Sequence, residues 1–416
     1  MKSIGIFTIG LGLAGAMIVM GQAPAAPQTG PGVQAPRDSN YQAYRAANCK
    51  NLPAAAAAAA GGGGGRAAGA GAGAAPAGAG GAGAAQRGAG APAGGAGRGA
   101  AATNPDGSPM HRDYKVAAIP AVIAEGAMWK TVWTGRGNNA DGPVATPDGG
   151  IMVAQNTDSK IMKLDKDNKV SFPYENTRTS GSISINTKGV VFVLERALPQ
   201  DILQVAPTRK VLADKYMGEP LDCTGALLND MTSDSKGGVY FSMGGIYYAD
   251  AKGVVTKYGA HTGPNGIILS ADEKTLYATG RLAGVATVPA DQPPAPAAAA
   301  GAAPGRGGGG GGTGLVAYDV QPDGSLKNER QFSTCLCGDG SAIDAQGRIY
   351  ATGGAGVQVI DKSGKFLGEI PSPLPLITVV FSGPDKKTLY GIANTQQFDE
   401  IFTLPMIAQG YKDRAK

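Results

Sequence analysis

Histidine is nearly missing from this sequence: 416 residues contain two, His111 and His261. A three-histidine metal centre is thereby excluded, and a network of imidazole bases has nothing to be built from. Cysteine is limited to four residues, Cys49, Cys223, Cys335 and Cys337, and no C-x-x-C-H for haem attachment occurs. The Cys335-x-Cys337 pair has no neighbouring histidine, which argues against zinc. The formal charge is +5, yet there is no dense Lys/Arg run and no basic helix interleaved with aromatics, so no nucleic-acid footprint is expected. The glycine run at 307–312 lacks the strand-Gly-helix context of a phosphate loop.

Glycine is plentiful, but unevenly placed. Residues 54–102 are Ala or Gly at all but six positions, and 301–314 is mostly Gly. Neither tract can bury enough apolar surface to offset its ordering entropy. At the N-terminus, Lys2, an apolar stretch at 4–20 and the small-residue site Ala23-Pro24-Ala25 follow the secretory pattern. The expected organisation is a signal peptide at 1–25, a disordered Ala/Gly/Pro-rich linker at 26–113, one domain at 114–410 with a disordered insertion at about 289–313, and a tail at 411–416. Periplasmic or secreted localisation follows. The apolar stretch also reaches the low edge of spanning length, so an uncleaved anchor stays open, but no other stable membrane insertion is expected. No Cys follows it to carry a lipoprotein lipid. In an oxidising compartment four cysteines allow three full pairings, among which the sequence does not choose; Cys49, in the tail, is a weak candidate for a core staple.

From residue 114 onward the chain repeats short apolar strands around tight polar turns. Six copies occur: ATPDGGIMVA (145–154), NTKGVVFVL (186–194), SDSKGGVYFS (233–242), SADEKTLYAT (270–279), DAQGRIYAT (344–352) and GPDKKTLYGI (383–392). Several are followed by a third strand and another such turn, as in IMKLDKDNKV and IYYADAKGVV. Without the insertion roughly 270 residues remain, about 45 per copy, which suits the four-stranded blades of an all-β, six-bladed β-propeller better than a sandwich. MWKTVWTG (128–135), ahead of the first copy, is expected to close the ring as the outer strand of the last blade.

Propeller geometry then locates a site. If the tight turns occupy one face, the segments before each innermost strand converge on the opposite mouth of the central channel. Their polar residues are Asp141, Ser182, Asn229, Asp230, Asn265, Asp339 and Thr378. Carboxylates and carboxamides together suit a hard divalent cation such as calcium, magnesium or manganese, with zinc open as a catalytic occupant. Singly, each of these residues is also an ordinary turn or cap residue.

At these positions the chain resembles the gluconolactonase, senescence-marker-protein and luciferin-regenerating (SGL) family of six-bladed propellers. NDMTSDSKGGVYFS, GPNGIILSADEKTLYATG, GDGSAIDAQGRIYAT and TVVFSGPDKKTLYGIA carry the likeness across blades three to six. The resemblance implies one divalent metal, calcium first and zinc, magnesium or manganese otherwise, and hydrolysis of a small lactone or sugar-derived substrate. It places metal ligands on Asp141, Asn265 and Asp339, general-base chemistry on Asp339 or Asp230, and substrate contact on Asn229. The family's Glu-Gly-Pro is Asp141-Gly142-Pro143 here, which retracts the oxygen by about one bond, and the family's arginine ahead of the Asn-Asp pair is replaced by Leu227 and Leu228. His261, shortly before Asn265, is a further substrate-contact candidate. A monomer is expected. The alternative is a non-catalytic extracytoplasmic propeller that binds a sugar or other small molecule and keeps a structural divalent cation.

Overall fold

The computed structural model describes residues 32–50, 104, 108–259, 264–285, 314–394 and 397–412. Six four-stranded antiparallel sheets form the six blades of a β-propeller. Blade one holds Ala140–Ala145, Ile151–Gln155, Lys160–Leu164 and Val170–Glu175, and blade two holds Ser180–Ile185, Val191–Glu195, Asp201–Ala206 and Lys210–Ala213. Blade three comprises Met231–Ser233, Val239–Ser242, Ile246–Ala249 and Val255–Tyr258. Blade four comprises Ile267–Leu269, Thr275–Thr279, Leu315–Val320 and Leu326–Ser333, with the expected insertion falling between its second and third strands and, from 286 to 313, outside the described residues. Blade five is Ser341–Ile343, Ile349–Gly353, Gly356–Ile360 and Phe366–Pro371. Blade six takes Thr378–Ser382, Thr388–Asn394 and Phe398–Pro405 from the end of the chain, and its outer strand, Lys130–Arg136, from the beginning. The ring therefore closes through the segment that the sequence assigned to this task.

The repeated turns have a shared physical cause. In blade three Asp234 Oδ1 accepts the N–H groups of Lys236 (2.9 Å) and Gly238 (2.8 Å), and Asn186 and Asp344 make the same pair of bonds in blades two and five. In these three blades a short side-chain acceptor thus caps the hairpin, and a left-handed glycine follows it, with φ of 77° at Gly189, 98° at Gly237 and 78° at Gly347. Between blades the sheets pack face to face: Tyr240, Ile246 and Tyr248 of blade three meet Ile267, Leu269 and Leu276 of blade four. Tyr240 is fully buried, and each such side chain contributes about 2 kcal/mol of burial. The innermost strands are almost wholly buried, with Asp141 and Ile185 partly exposed, whereas the outer strand Val170–Glu175 faces solvent.

Residues 32–50, within the stretch assigned to linker, make a short 3-10 turn (Ala35–Arg37) and a helix (Tyr41–Asn48) that dock on blade two. Ala35, Tyr41 and Leu198 are buried together, Ala35 N donates to Arg196 O at 2.7 Å, and a disulfide joins Cys49 to Cys223. The weak candidate for a staple is thus a staple, because the arm's apolar face brings Cys49 beside the 3-10 turn Leu221–Thr224. The second disulfide joins Cys335 to Cys337. Among the described residues no helix is long and apolar enough to cross a membrane, and the apolar stretch at 4–20 lies outside them.

Candidate active site at the channel mouth

The residues that precede or open the innermost strands meet around the channel as a belt of inter-blade contacts. Gly142 of blade one lies so close against Ser182 of blade two that a Cβ would overlap the Ser182 backbone. Ser182 Oγ donates to Asp230 Oδ1 of blade three at 2.6 Å, and Asp230 Oδ2 accepts Ile267 N of blade four at 3.0 Å. Asn265 Nδ2 donates to Gly338 O of blade five at 3.2 Å, and a Cβ at Gly266 would overlap Asp339 O. Gly340 N reaches Ile377 O of blade six at 2.8 Å, a Cβ at Gly340 would overlap Thr378 Oγ1, and Asn394 Nδ2 returns to Ala140 O of blade one at 3.0 Å. Ser182, Asp230, Asn265 and Thr378 contribute side chains to these contacts, and Asp339 its main chain.

Within the belt the residues fall into three groups. Asn265 and Asp339 form one: the missing side chain of Gly266 lets the blade-four entry pack against the Asp339 main chain, and the Asn265 amide nitrogen donates to Gly338 O. Asp141 and Asn229 form the second, bridged by Arg196, whose Nη2 donates to Asn229 O and to Asn229 Oδ1 (3.2 Å) and stands 3.4 Å from Asp141 Oδ2. Asp230 is the third. Buried, it accepts Ser182 Oγ, Met231 N (2.8 Å) and Ile267 N, so its carboxylate ties blades two, three and four together. His261 lies outside the described residues. His111 pairs with Glu400 at 2.7 Å, beside Phe402.

Two of the innermost strands are irregular where they reach the mouth. Their register slips between Asp141 and Val144 in blade one and between Ser180 and Ile183 in blade two, while blades three and five pair without a break. Bulges re-aim side chains beside functional sites; here they sit at Asp141 and next to Gly181, the residue against which the Arg196 guanidinium packs. Arg196 itself is absent from the sequence reading. It follows the second strand of blade two, and second-to-third-strand connections return to the same mouth, which is the topological signal that points to it.

A divalent cation fits the donors present. Two carboxylates and a carboxamide oxygen are hard ligands, and glycines at 142, 266 and 340 let adjoining strand entries approach closely. Among the described residues the close-set triad of His, Cys, Asp or Glu ligand atoms is Cys49, Glu219 and Cys223, whose sulfurs are joined in the disulfide. A cation at the mouth would accordingly be held by the mixed carboxylate-carboxamide set of Asp141, Asn265 and Asp339.

Under the docked arm lies a second charged group. Asp201, buried, accepts Arg178 Nη2 at 2.7 Å, and burial and the neighbouring Glu195 carboxylate push its pKa up to about 8 against the pull of Arg178. Burial also raises Asp222, which accepts Gln200 N (3.0 Å) and Gln200 Nε2 (3.1 Å).

Comparison with known proteins gives the following likenesses. Residues 312–393 match the family described as the SMP-30/Gluconolactonase/LRE-like region. The lactonohydrolases oryH and oryL of Aspergillus oryzae are 32% identical over 134 residues and 30% identical over 132 residues, or 30% and 31% of this chain. These matches span 27% and 29% of the relatives' own length. A gluconolactonase from Xanthomonas campestris superposes with a TM-score of 0.55 at 18% identity, over 71% of this chain and 95% of its own. A structure described as the calcium-binding protein regucalcin, from Agrobacterium tumefaciens, gives 0.51 at 16% identity over 68% and 96%. Residues 312–393 are thus similar to the SMP-30/gluconolactonase/LRE-like (SGL) region, and the chain shares the six-bladed ring of the gluconolactonase structures.

Proposed function

We propose that the chain is a lactone hydrolase acting at the channel mouth, with one divalent cation held by Asp141, Asn265 and Asp339. The observation that supports this reading is the close approach of the two strand entries that carry Asn265 and Asp339, which the missing side chain of Gly266 permits. The names of the Aspergillus relatives and of the matched family support lactone chemistry. Calcium is the proposed ion, in keeping with the description of the Agrobacterium neighbour. Zinc, magnesium and manganese are the alternatives for the same donors. Two disulfides agree with an exported, oxidising location.

When bound, the cation supplies Lewis-acid polarisation of the lactone carbonyl and stabilises the oxyanion. The protein's part is positional and protolytic. Asp339 accepts a proton from water as the water oxygen adds to the carbonyl carbon. The acyl–oxygen bond then breaks, and the proton passes to the departing ring oxygen, so that a hydroxy acid is released. Asn229 lies beside this centre as a polar contact for substrate, while Asp230 keeps its blade in register with the next.

The test is hydrolysis of a panel of small lactones by the full chain, before and after chelation and in Asp339→Ala. Loss of a catalytic base and ligand lowers the rate by about a hundredfold or more. Hydrolysis indifferent to both treatments refutes the reading, and metal-dependent thermal stabilisation without turnover on any lactone selects the binding propeller instead.

A further inference from the structure

Arg196 is a buried cation at the mouth whose place the hydrolytic chemistry does not by itself require. Its side chain is 5% exposed, and its ion pair with Asp141, at 3.4 Å, is long for a guanidinium-carboxylate contact. One nitrogen, Nη2, serves Asn229 O, Asn229 Oδ1 and Asp141 Oδ2 together, and the buried Nε has no hydrogen-bond partner among the described residues. A guanidinium left this poorly satisfied in a dry site is costly, so something other than stability keeps it there.

Its position is also enforced from every side. The guanidinium lies on Gly181, where any Cβ would overlap Cζ and Nε. Arg196 O accepts Ala35 N from the disulfide-anchored arm at 2.7 Å, and the next residue is held by Ala197 N donating to Arg178 O at 3.0 Å. The charge is thus clamped against a carboxylate that the proposed cation must share.

We propose that Arg196 is the built-in competitor of the divalent cation: it neutralises Asp141 when the cation is absent and sets how weakly the cation is held when it is present. The inference rests on the metal reading above. A divalent ion drawing on Asp141 meets a fixed positive charge in the same low-dielectric cradle, and their repulsion lowers affinity. The shortened ligand at position 141 acts in the same direction. Together they describe a site that exchanges its cation instead of retaining it through purification.

Calcium titration by calorimetry, on chelator-treated full chain at low ionic strength, tests this without reference to turnover. Arg196→Met keeps the side-chain bulk and removes the charge, and its calcium dissociation constant is expected to fall tenfold or more; Arg196→Lys is expected to stay within threefold of the parent. Gly181→Ala, which displaces the guanidinium and leaves its charge in the chain, supplies a second variant should Arg196→Met not fold, and tighter binding is expected there too. An unchanged or weakened affinity in a folded Arg196→Met or Gly181→Ala protein overturns the proposal. Absence of calcium, magnesium, manganese or zinc uptake by parent and variants alike removes the metal reading itself, and this inference with it.

Discussion

The Asp230 carboxylate of blade three accepts the main-chain N–H of Ile267 in blade four at 3.0 Å. Together with the bonds from Ser182 and Met231 this makes one buried side chain the rivet of three blades. Asp230→Ala leaves those donors unsatisfied and is expected to cost about 3 kcal/mol, a fall of about 6–12 °C in melting temperature. Asp339→Ala is expected to abolish hydrolysis with a far smaller fall. Thermal melts of the two variants by circular dichroism separate the structural carboxylate from the chemical one, and equal destabilisation contradicts the assignment.

Gly266→Ala probes the pairing of Asn265 with Asp339. Its added Cβ has nowhere to go but into Asp339 O, which is main chain and does not swing aside. The two strand entries must part, and both cation affinity and lactone hydrolysis are expected to drop tenfold or more. Calorimetry and a rate assay on the same preparation check it; retention of either at the parental level speaks against a shared donor site.

Asp201 gives stability a dependence on pH. Its folded pKa, about 8, lies above the ordinary carboxylate value of 3.8, so between these values the native state holds a proton that the unfolded chain has lost. Stability attributable to this group therefore falls as pH rises through that window and is lowest above pH 8. Asp201→Asn, neutral at every pH, is expected to gain stability over the parent progressively from about pH 5 to about pH 8.5. Denaturant midpoints at both ends measure the gain, and a pH-independent difference contradicts it.

The docked arm should depend on its covalent tie. The disulfide links residues 174 apart in sequence, for which chain entropy sets a ceiling of about 5 kcal/mol. Cys49→Ser is expected to lower the melting temperature and to expose the bonds after Arg37 and Arg45 to trypsin, while the ring itself stays intact. Persistent protection of both bonds shows that the buried contact among Ala35, Tyr41 and Leu198 holds the arm alone.

The ring was legible because it is periodic. Six copies of a capped turn between apolar strands reveal blades, and blade topology then leads to the expectation that Asp141, Asn265 and Asp339 share one mouth, without any local motif for a metal. Even the closing strand could be read, since an unpaired apolar segment preceded the first copy. Arg196 and the arm escaped for the opposite reason. Nothing in ERALPQ marks a mouth residue except its place after a second strand, and Cys49 meets Cys223 through an apolar contact that no periodicity announces. Gly181 gains its meaning only once Arg196 is seen lying on it.

Because Lys130–Arg136 hydrogen-bonds to Phe398–Pro405, synthesis delivers the first half of this seam long before the second. Until Phe398–Pro405 emerges, Lys130–Arg136 lacks the strand it pairs with and blade six is incomplete. Of its two tryptophans, Trp133 lies in that seam opposite Ile401 and Trp129 immediately precedes it, so the protein carries its own fluorophore at the joint that closes the ring.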